Sequence, residues 1–354
     1  MLDDSTPSRD EPGAHGDRHP ARPATLKEIG ALAGVSIATV SKALNGRADV
    51  SRATRQRVQE AADRLKFTPN SLAQGLLAGR TGTVGLLTND LEGRFSIPVL
   101  MGAEDAFGAG SVSVFLCDAR GDAIREQHHI RALLSRRVDG LIVVGDTTNP
   151  RVPLAGSIPV PVVYAYAPSS DPRDMSAVND NVSAGRMAAE HLVACGRTRI
   201  AYLSGDPAFT AAGERVAGAR AALREHGLDL VGGEALYGEW SEIWGRAGAR
   251  SLLARHPEVD GIVCGSDQVA RGVLDALREL GRHVPNDISV IGHDNWELLV
   301  TQSRPQLTTV DSNLQELGRT AARLLGEAID GRTASGTHTV ACRLVVRGST
   351  LGAV

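Results

Sequence analysis

The spacing of apolar positions changes once along the chain, near residue 80. Ahead of that point lie three short stretches with helical spacing. Leu26, Ile29, Ala33 and Val35 make one apolar stripe, with Thr25 placed to cap it and Gly34 to break it. Ser36 caps a second predicted helix, Ile37–Leu44, closed by Asn45-Gly46. Ser51 caps a third, with Val58, Ala61, Ala62 and Leu65 inward, ending near Phe67 before Pro69. Asn70–Leu77 reads as a further short helix, followed by Gly79. Residues 1–24 are rich in Pro, Asp and Gly without periodicity, and read as a disordered tail.

From Thr83 onward the pattern alternates between β and α. Strand-like runs are VGLLT (84–88), VSVFLC (112–117), GLIVVG (140–145), PVVYAY (161–166), RIAYLSG (199–205), EALYG (234–238), GIVCG (261–265) and ISVIGHD (288–294). Helix-length segments fall between most of them: Ile97–Ala109, Ile124–Arg137, Ser183–Cys195, Glu214–His226, Ser241–Arg255, Gln268–Leu280 and Leu314–Ile329. Apolar strands alternating with amphipathic helices predict parallel sheets covered on both faces. This stretch exceeds one comfortable core, so two α/β lobes with a cleft between them are expected. A (β/α)₈ barrel is the rival, and the two strand-like runs without an intervening helix between Gly145 and Val178 count against it.

Composition narrows the class. The chain has 354 residues, 42% hydrophobic and 22% charged, which permits sizeable cores and excludes global disorder. No apolar run reaches the roughly 18 residues of a membrane helix, and the first twenty residues hold no apolar signal core. Cys117, Cys195, Cys264 and Cys342 stand singly, as expected of reduced thiols in a cytoplasmic protein without structural zinc. The net charge of −3 hides an asymmetry: residues 1–20 carry −3, residues 21–80 carry +6, and the remainder −6. All three lysines, Lys27, Lys42 and Lys66, lie in the basic segment. A small basic module ahead of a large acidic body suits a nucleic-acid reader with a separate second function, although a solvated basic surface gives the same tally.

The basic module carries the strongest local pattern. TLKEIGALAGVSIATVSKALN (25–45) is helix, Gly-containing turn and short helix, with small residues Ala33, Gly34, Thr39 and Val40 at the helix contact. On the second helix Val40, Ala43 and Leu44 face inward and Ile37, Ala38, Ser41 and Lys42 outward. With VSRATRQRV and TPNSLAQGLLAGRTGTVGLL after it, this segment resembles the N-terminal module of LacI/GalR-family transcriptional regulators. VNDNVSAGRMAAEHLVACGRTRIAYLSGD, ERVAGARAAL, CGSDQVARGVLDALRELGRHVPNDISVIGHDN, PQLTTVDSNLQELG and LVVRGST resemble later blocks of that family in order, covering about residues 24–350.

The resemblance implies an all-α helix-turn-helix domain over 25–69, a hinge helix and linker over 70–81, and a two-lobed α/β body over 82–354 of the periplasmic-binding-protein type. Lobe 1 is expected at about 82–179 and 313–338, lobe 2 at about 180–312 and 339–354. DNA contacts are implied for Thr25, Ser36, Ile37, Ala38, Thr39, Ser41, Lys42, Asn45, Asn70, Ala73 and Leu76. Among these, Ile37 and Ala38 would pack on thymine methyls and Lys42 would donate to guanine. Ser36, Thr39, Ser41 and Asn45 would hold phosphate. Leu76 of the hinge would wedge a minor-groove base step, with Ala73 and Gln74 beside the groove floor. Lys42 and Gln74 stand where members often have Arg.

For the body, the resemblance implies a small-molecule effector in the cleft, contacted by loops at the carboxyl ends of strands. Asn89, Asp90 and Phe95 follow the first strand. Arg215, Trp240, Ser266, Asp267 and Asp294 match ligand-contact positions, and Tyr166 stands near where the family usually shows an acid. An Arg/Asp pair beside an aromatic face suits a sugar, whose hydroxyls exchange hydrogen bonds while its C–H face stacks. Core packing is the other reading of Trp240 and Trp244.

Other motifs carry less. GAGSVS (108–113) precedes a strand instead of following one, His128-His129 lack further ligands at metal spacing, and no GxSxG, P-loop or HExxH occurs. No catalytic group, metal or cofactor is expected. The expected protein is a cytoplasmic, sugar-responsive repressor that binds a pseudo-palindromic double-stranded operator as a homodimer. Only LGAV follows LVVRGST, so no C-terminal tetramer helix is expected. A cytosolic solute-binding protein without a regulatory role is the alternative.

Overall fold

Thr25 starts the first helix with a reciprocal pair of bonds. Its hydroxyl accepts the Glu28 amide at 3.3 Å, and the Glu28 carboxylate accepts the Thr25 amide at 2.6 Å. Two amides that a helix start leaves open are thereby satisfied. The computed structural model describes residues 24–44, 47, 49–67, 80–90, 94–108, 112–154, 158–332 and 334–351. The tail over 1–23, Asn45-Gly46 and the hinge segment over 70–77, with Asn70, Ala73, Gln74 and Leu76, lie outside the described residues. The chain divides into two units, 1–78 and 79–354.

In the first unit α1 (Leu26–Ala33), α2 (Ile37–Leu44) and α3 (Arg52–Arg64) enclose Ile29, Val40, Val58 and Ala61. Gly34 takes φ 69°, the left-handed turn expected of it. The tight approach, however, is made one turn earlier. A Cβ on Gly30 would lie 2.8 Å from the Val35 carbonyl oxygen, so only glycine lets the turn pack back on α1.

The second unit holds two sheets. The first joins β1 (Thr83–Thr88), β2 (Ser113–Asp118), β3 (Gly140–Val144), β4 (Val162–Ala165), β5 (Met175–Asn179) and β10 (Gly336–Val340), all parallel, in the order β10-β5-β4-β3-β1-β2. The second joins β6 (Ile200–Leu203), β7 (Gly261–Cys264), β8 (Ser289–Asp294), β9 (Thr308–Asp311) and the antiparallel β11 (Arg343–Val345), in the order β11-β9-β8-β7-β6. Strands β5, β9, β10 and β11 were not expected from apolar runs. The expected strand over 234–238 is reduced to a single bridge between Leu203 and Leu236. The chain passes between lobes after β5, β9 and β10, and these crossings bond to one another: the Asp180 amide donates to Val340 at 3.0 Å and the Asn179 amide group to the Ser312 carbonyl.

Each sheet is covered by helices. α4 (Ser96–Phe107) and α11 (Leu314–Ile329) lie on one face of the first sheet, and α5 (Ala123–Ser135) on the other. On the second sheet α6 (Asn181–Ala194) and α7 (Thr210–Glu225) cover one face, α8 (Glu242–Arg255) and α9 (Asp267–Glu279) the other. α7 begins at Thr210, one turn ahead of the predicted Glu214. Short helices α10 (Glu297–Val300) and α12 (Gly348–Leu351) complete the described elements. No described helix is long and apolar enough to cross a membrane.

Three helix pairs touch backbone to backbone through glycines presented in both directions. Gly102 and Gly318 join α4 to α11, Gly185 and Gly218 join α6 to α7, and Gly245 and Gly272 join α8 to α9. A Cβ at any of the six would come within 1.8–2.1 Å of a carbonyl oxygen of the partner helix. Gly213, also in α7, has nothing within 4 Å. The same substitution therefore carries opposite signs in one helix. Gly218→Ala should destabilise by about 1–3 kcal/mol through overpacking, whereas Gly213→Ala should stabilise by about 0.5–1 kcal/mol through helix propensity. Urea midpoints of the full-length variants check this, and shifts of equal sign would contradict the crossing geometry.

Candidate functional site

The outward face of α2 is assembled by its cap. The Ser36 hydroxyl accepts the Thr39 amide at 3.2 Å and bonds the Thr39 hydroxyl at 3.0 Å, so both side chains anchor the helix start. Val40 and Ala43 turn inward and are buried, which leaves Ile37 51% exposed with Ala38 and Lys42 beside it, and Ser41 half-buried. Lys42 Nζ donates to Asp49 at 2.6 Å, an ion pair that the spacing of the sequence did not suggest, and both side chains are about half exposed. The Lys42 bond holds the Asp49 carboxyl below its ordinary range. Arg55 is tied to the Arg47 carbonyl at 2.8 Å, while Arg52 and Arg57 are exposed. Thr25 spends its hydroxyl in the capping box. Asn45, Asn70, Ala73 and Leu76 fall outside the described residues.

In the second unit the residues that follow the carboxyl ends of the two sheets meet. After β3, Asn149 accepts the Thr210 amide at 2.7 Å and donates to the Ala208 carbonyl at 3.0 Å; Thr148 accepts the Ala211 amide at 3.1 Å. Phe209 gives α7 no side-chain cap, so lobe 1 caps this lobe-2 helix. After β1, Arg94 reaches Gln268 at 2.8 Å and forms an ion pair with Asp294, both on lobe 2. Its guanidinium lies 4.9 Å from the Phe95 ring centre and 5.1 Å from that of Trp296. Phe95 in turn stacks on Tyr166, centres 4.6 Å apart.

Arg215 is only 5% exposed. Its Nε donates to Asn181 at 3.0 Å and its Nη1 to the Gly265 carbonyl at 2.7 Å, both neutral acceptors. Trp240 covers Gly205 and meets Phe209 edge-on at 5.7 Å. The indole N–H of Trp240, the Ser204 hydroxyl and Arg94 Nε are buried without partners. Such orphans are rare; Asn179 Oδ1 and His338 Nε2 are the others among the described residues. Trp244 differs: its N–H is satisfied by the Ser204 carbonyl at 2.8 Å and its ring joins the lobe-2 core.

The remaining expected contacts are committed locally. Asp90 accepts the Phe95 amide at 2.9 Å, and Asn89 accepts the Gly121 amide at 3.2 Å. Ser266 caps α9 through the Val269 amide at 3.2 Å. Asp267 is fully buried, with one oxygen on the Trp296 amide at 2.7 Å and the other on the Thr309 hydroxyl at 2.6 Å. Asp267 thus braces the segment that follows Asp294, Ser266 serves its own helix, and neither presents open surface to a ligand. Burial, with Asp294 nearby, pushes the Asp267 carboxyl well up. The same two causes raise the Tyr166 phenol, which stays a neutral donor. Arg94, Gln268, Trp296, Thr148 and Asn149 escaped the sequence reading, because their partners are far away in the chain. Among the described residues no cluster of His, Cys, Asp and Glu is arranged to hold a metal ion.

Similarity to known proteins agrees with this division. A family model described as "Bacterial regulatory proteins, lacI family" matches residues 25–70, and one described as "Periplasmic binding protein-like domain" matches 189–350. The chain is 32% identical over 313 residues to the catabolite control protein A of Priestia megaterium, covering 87% of this chain and 93% of that protein. The transcriptional regulator CelR–cellobiose complex superposes with a TM-score of 0.65 at 30% identity, over 92% of this chain and 99% of that one. The Lac repressor dimer bound to operator and the anti-inducer ONPF superposes with a TM-score of 0.71 at 27% identity, over 94% and 100%.

His293, 3% exposed and hydrogen-bonded to the Ser312 hydroxyl at 3.0 Å, gives the cleft a measurable pH signature. Burial, then the charges of Arg215 and Arg94, hold its imidazole well below its ordinary value. As pH falls through about 6.5 the unfolded chain gains a proton there that the folded chain refuses, so this group's contribution to stability is lost toward acid, at up to about 1.4 kcal/mol per pH unit. Urea midpoints at pH 7.5 and 5.5 should therefore fall less in His293→Asn than in the wild type. Equal losses would show that His293 is not held neutral.

Proposed function

We propose, since the chain belongs to the LacI family of bacterial regulatory proteins, that it is a sequence-specific repressor of carbohydrate-utilisation genes whose operator affinity is set by a sugar-like effector. The observation that supports this most is the pairing, in one chain, of an exposed recognition helix with a cleft lined by a buried arginine, a carboxylate and aromatic rings. The CelR relative holds cellobiose and the Lac repressor relative sits on operator as a dimer. By the same reading this chain is a cytoplasmic homodimer on a two-fold related operator and carries no catalytic function. A cytosolic solute-binding protein would leave the basic helical module without a role.

On DNA, Ile37 and Ala38 would face thymine methyls and Lys42 guanine O6 and N7. Lys42 must first leave Asp49. That pair is exposed and screened by solvent, so it holds Lys42 weakly, whereas a good base contact is worth roughly 1–3 kcal/mol, and the exchange favours DNA. In the cleft, Arg215, Asp294, Trp240, Phe95 and Tyr166 would touch the effector. Asn89, Asp90, Ser266 and Asp267 would position the loops that carry them.

Gel-shift titration of genomic fragments, with and without a panel of mono- and disaccharides, tests the whole reading. A solute-binding protein would shift no fragment at any salt concentration. Lys42→Ala should lose about 1–3 kcal/mol of specific binding while weak non-specific binding persists. An unchanged specificity ratio would move base reading off Lys42.

Arg215→Ala should bind operator as the wild type does yet respond to effector at least about tenfold more weakly, since charged hydrogen bonds contribute roughly 1.5–3 kcal/mol. Calorimetry with the sugar that releases DNA measures the loss. Wild-type affinity in that variant would remove Arg215 from the site.

A further inference from the structure

Arg94 stands in the place that an effector would need. Its planar guanidinium lies between the Phe95 and Trp296 rings, and its two terminal nitrogens donate side by side to Gln268 and Asp294. The site so defined gathers two aromatic rings and two acceptors around one planar group. A sugar ring with a vicinal diol has the matching groups: C–H faces for the aromatic rings and two neighbouring O–H donors for the acceptors. Arg94 fits imperfectly, because its Nε is buried without an acceptor. That orphan is rehydrated when the side chain swings out, which favours release.

We propose that Arg94 is a tethered occupant of the effector slot: it fills the space between Phe95 and Trp296 in the free protein, and the effector binds by expelling it. This rests on the cleft being the effector site. Two consequences follow from the geometry. A ligand with a single donor replaces only half of the bidentate arginine contact, so Arg94 selects for paired hydroxyls. Expulsion also breaks a bridge from lobe 1 to Asp294 and Gln268 on lobe 2, so occupation of the slot is coupled to the lobe contact.

Vacating the slot tests this with a probe that mimics the side chain itself. Full-length Arg94→Ala should bind methylguanidinium at millimolar concentration in calorimetry and regain thermal stability with it. The wild type and the double variant Arg94→Ala/Asp294→Asn should do neither. Among cellobiose, glucose and ribose, any sugar that binds the wild type should bind Arg94→Ala on the order of tenfold more tightly, the competitor being gone. If Arg94→Ala lacks the wild-type circular dichroism, Arg94→Ser takes its place. Failure of methylguanidinium to bind the folded variant overturns the proposal, as does weaker sugar binding, which would make Arg94 a ligand contact. If none of the three sugars binds any form, the sugar reading of the cleft fails separately, and methylguanidinium still decides the role of Arg94.

Discussion

A parallel sheet buries both faces, so each sheet of the second unit depends on helices that can approach it and one another closely. Here that approach is made by glycines that meet backbone, reciprocally, in three helix pairs: Gly102 with Gly318, Gly185 with Gly218, Gly245 with Gly272. No side chain fits at these crossings. The α6–α7 crossing also fixes the functional group, because the atoms that Gly185 approaches belong to the Arg215 backbone. The packing constraint at this crossing thus sets where the buried guanidinium emerges.

Parallel strands also direct all their carboxyl-end loops the same way, and in this chain the loops of both sheets converge. Asn149 and Thr148 after β3 cap α7 of the other lobe, and Arg94 after β1 pairs with Asp294 at the end of β8. Each contact is made by residues of opposite lobes, so neither survives a separation of the sheets. The charges that result are balanced locally. Arg94 meets Asp294, Asp267 is held by an amide and a hydroxyl, and His293 stays neutral beside two arginines. Arg215 alone of these is met by neutral acceptors, which leaves its charge for a ligand.

How much of this was legible follows from what each residue does locally. Strands buried on both faces announce themselves as apolar runs, as β1, β3 and β8 do. Strands β5, β9 and β10 are diluted by Ser, Thr, Asn, Asp and His, and β11 is only three residues long, so none reads as an apolar run; register with a neighbour makes them strands. Helix starts were readable where a Ser, Thr or Asp caps its own helix; α7 began early because its cap comes from Asn149, about sixty residues upstream. In the cleft, Arg215, Trp240 and Asp294 were named from motifs, whereas Arg94 and Trp296, within two residues of named ones, became visible only when two hundred residues of chain brought them together. The Lys42–Asp49 pair, only seven residues apart, was missed for another reason: it spans the connection from α2 to α3 and shares no helix face.

The account holds that one free-energy coupling links operator and effector, and such coupling is reciprocal. The direct measurement is calorimetric titration of the effector sugar into free protein and into its operator complex. The account predicts that the ratio of the two effector affinities equals the ratio of operator affinities measured without and with the sugar, on the order of 5–150-fold. An effector affinity unchanged by operator would contradict it, and would leave the cleft and the recognition helix as two unconnected sites in one chain.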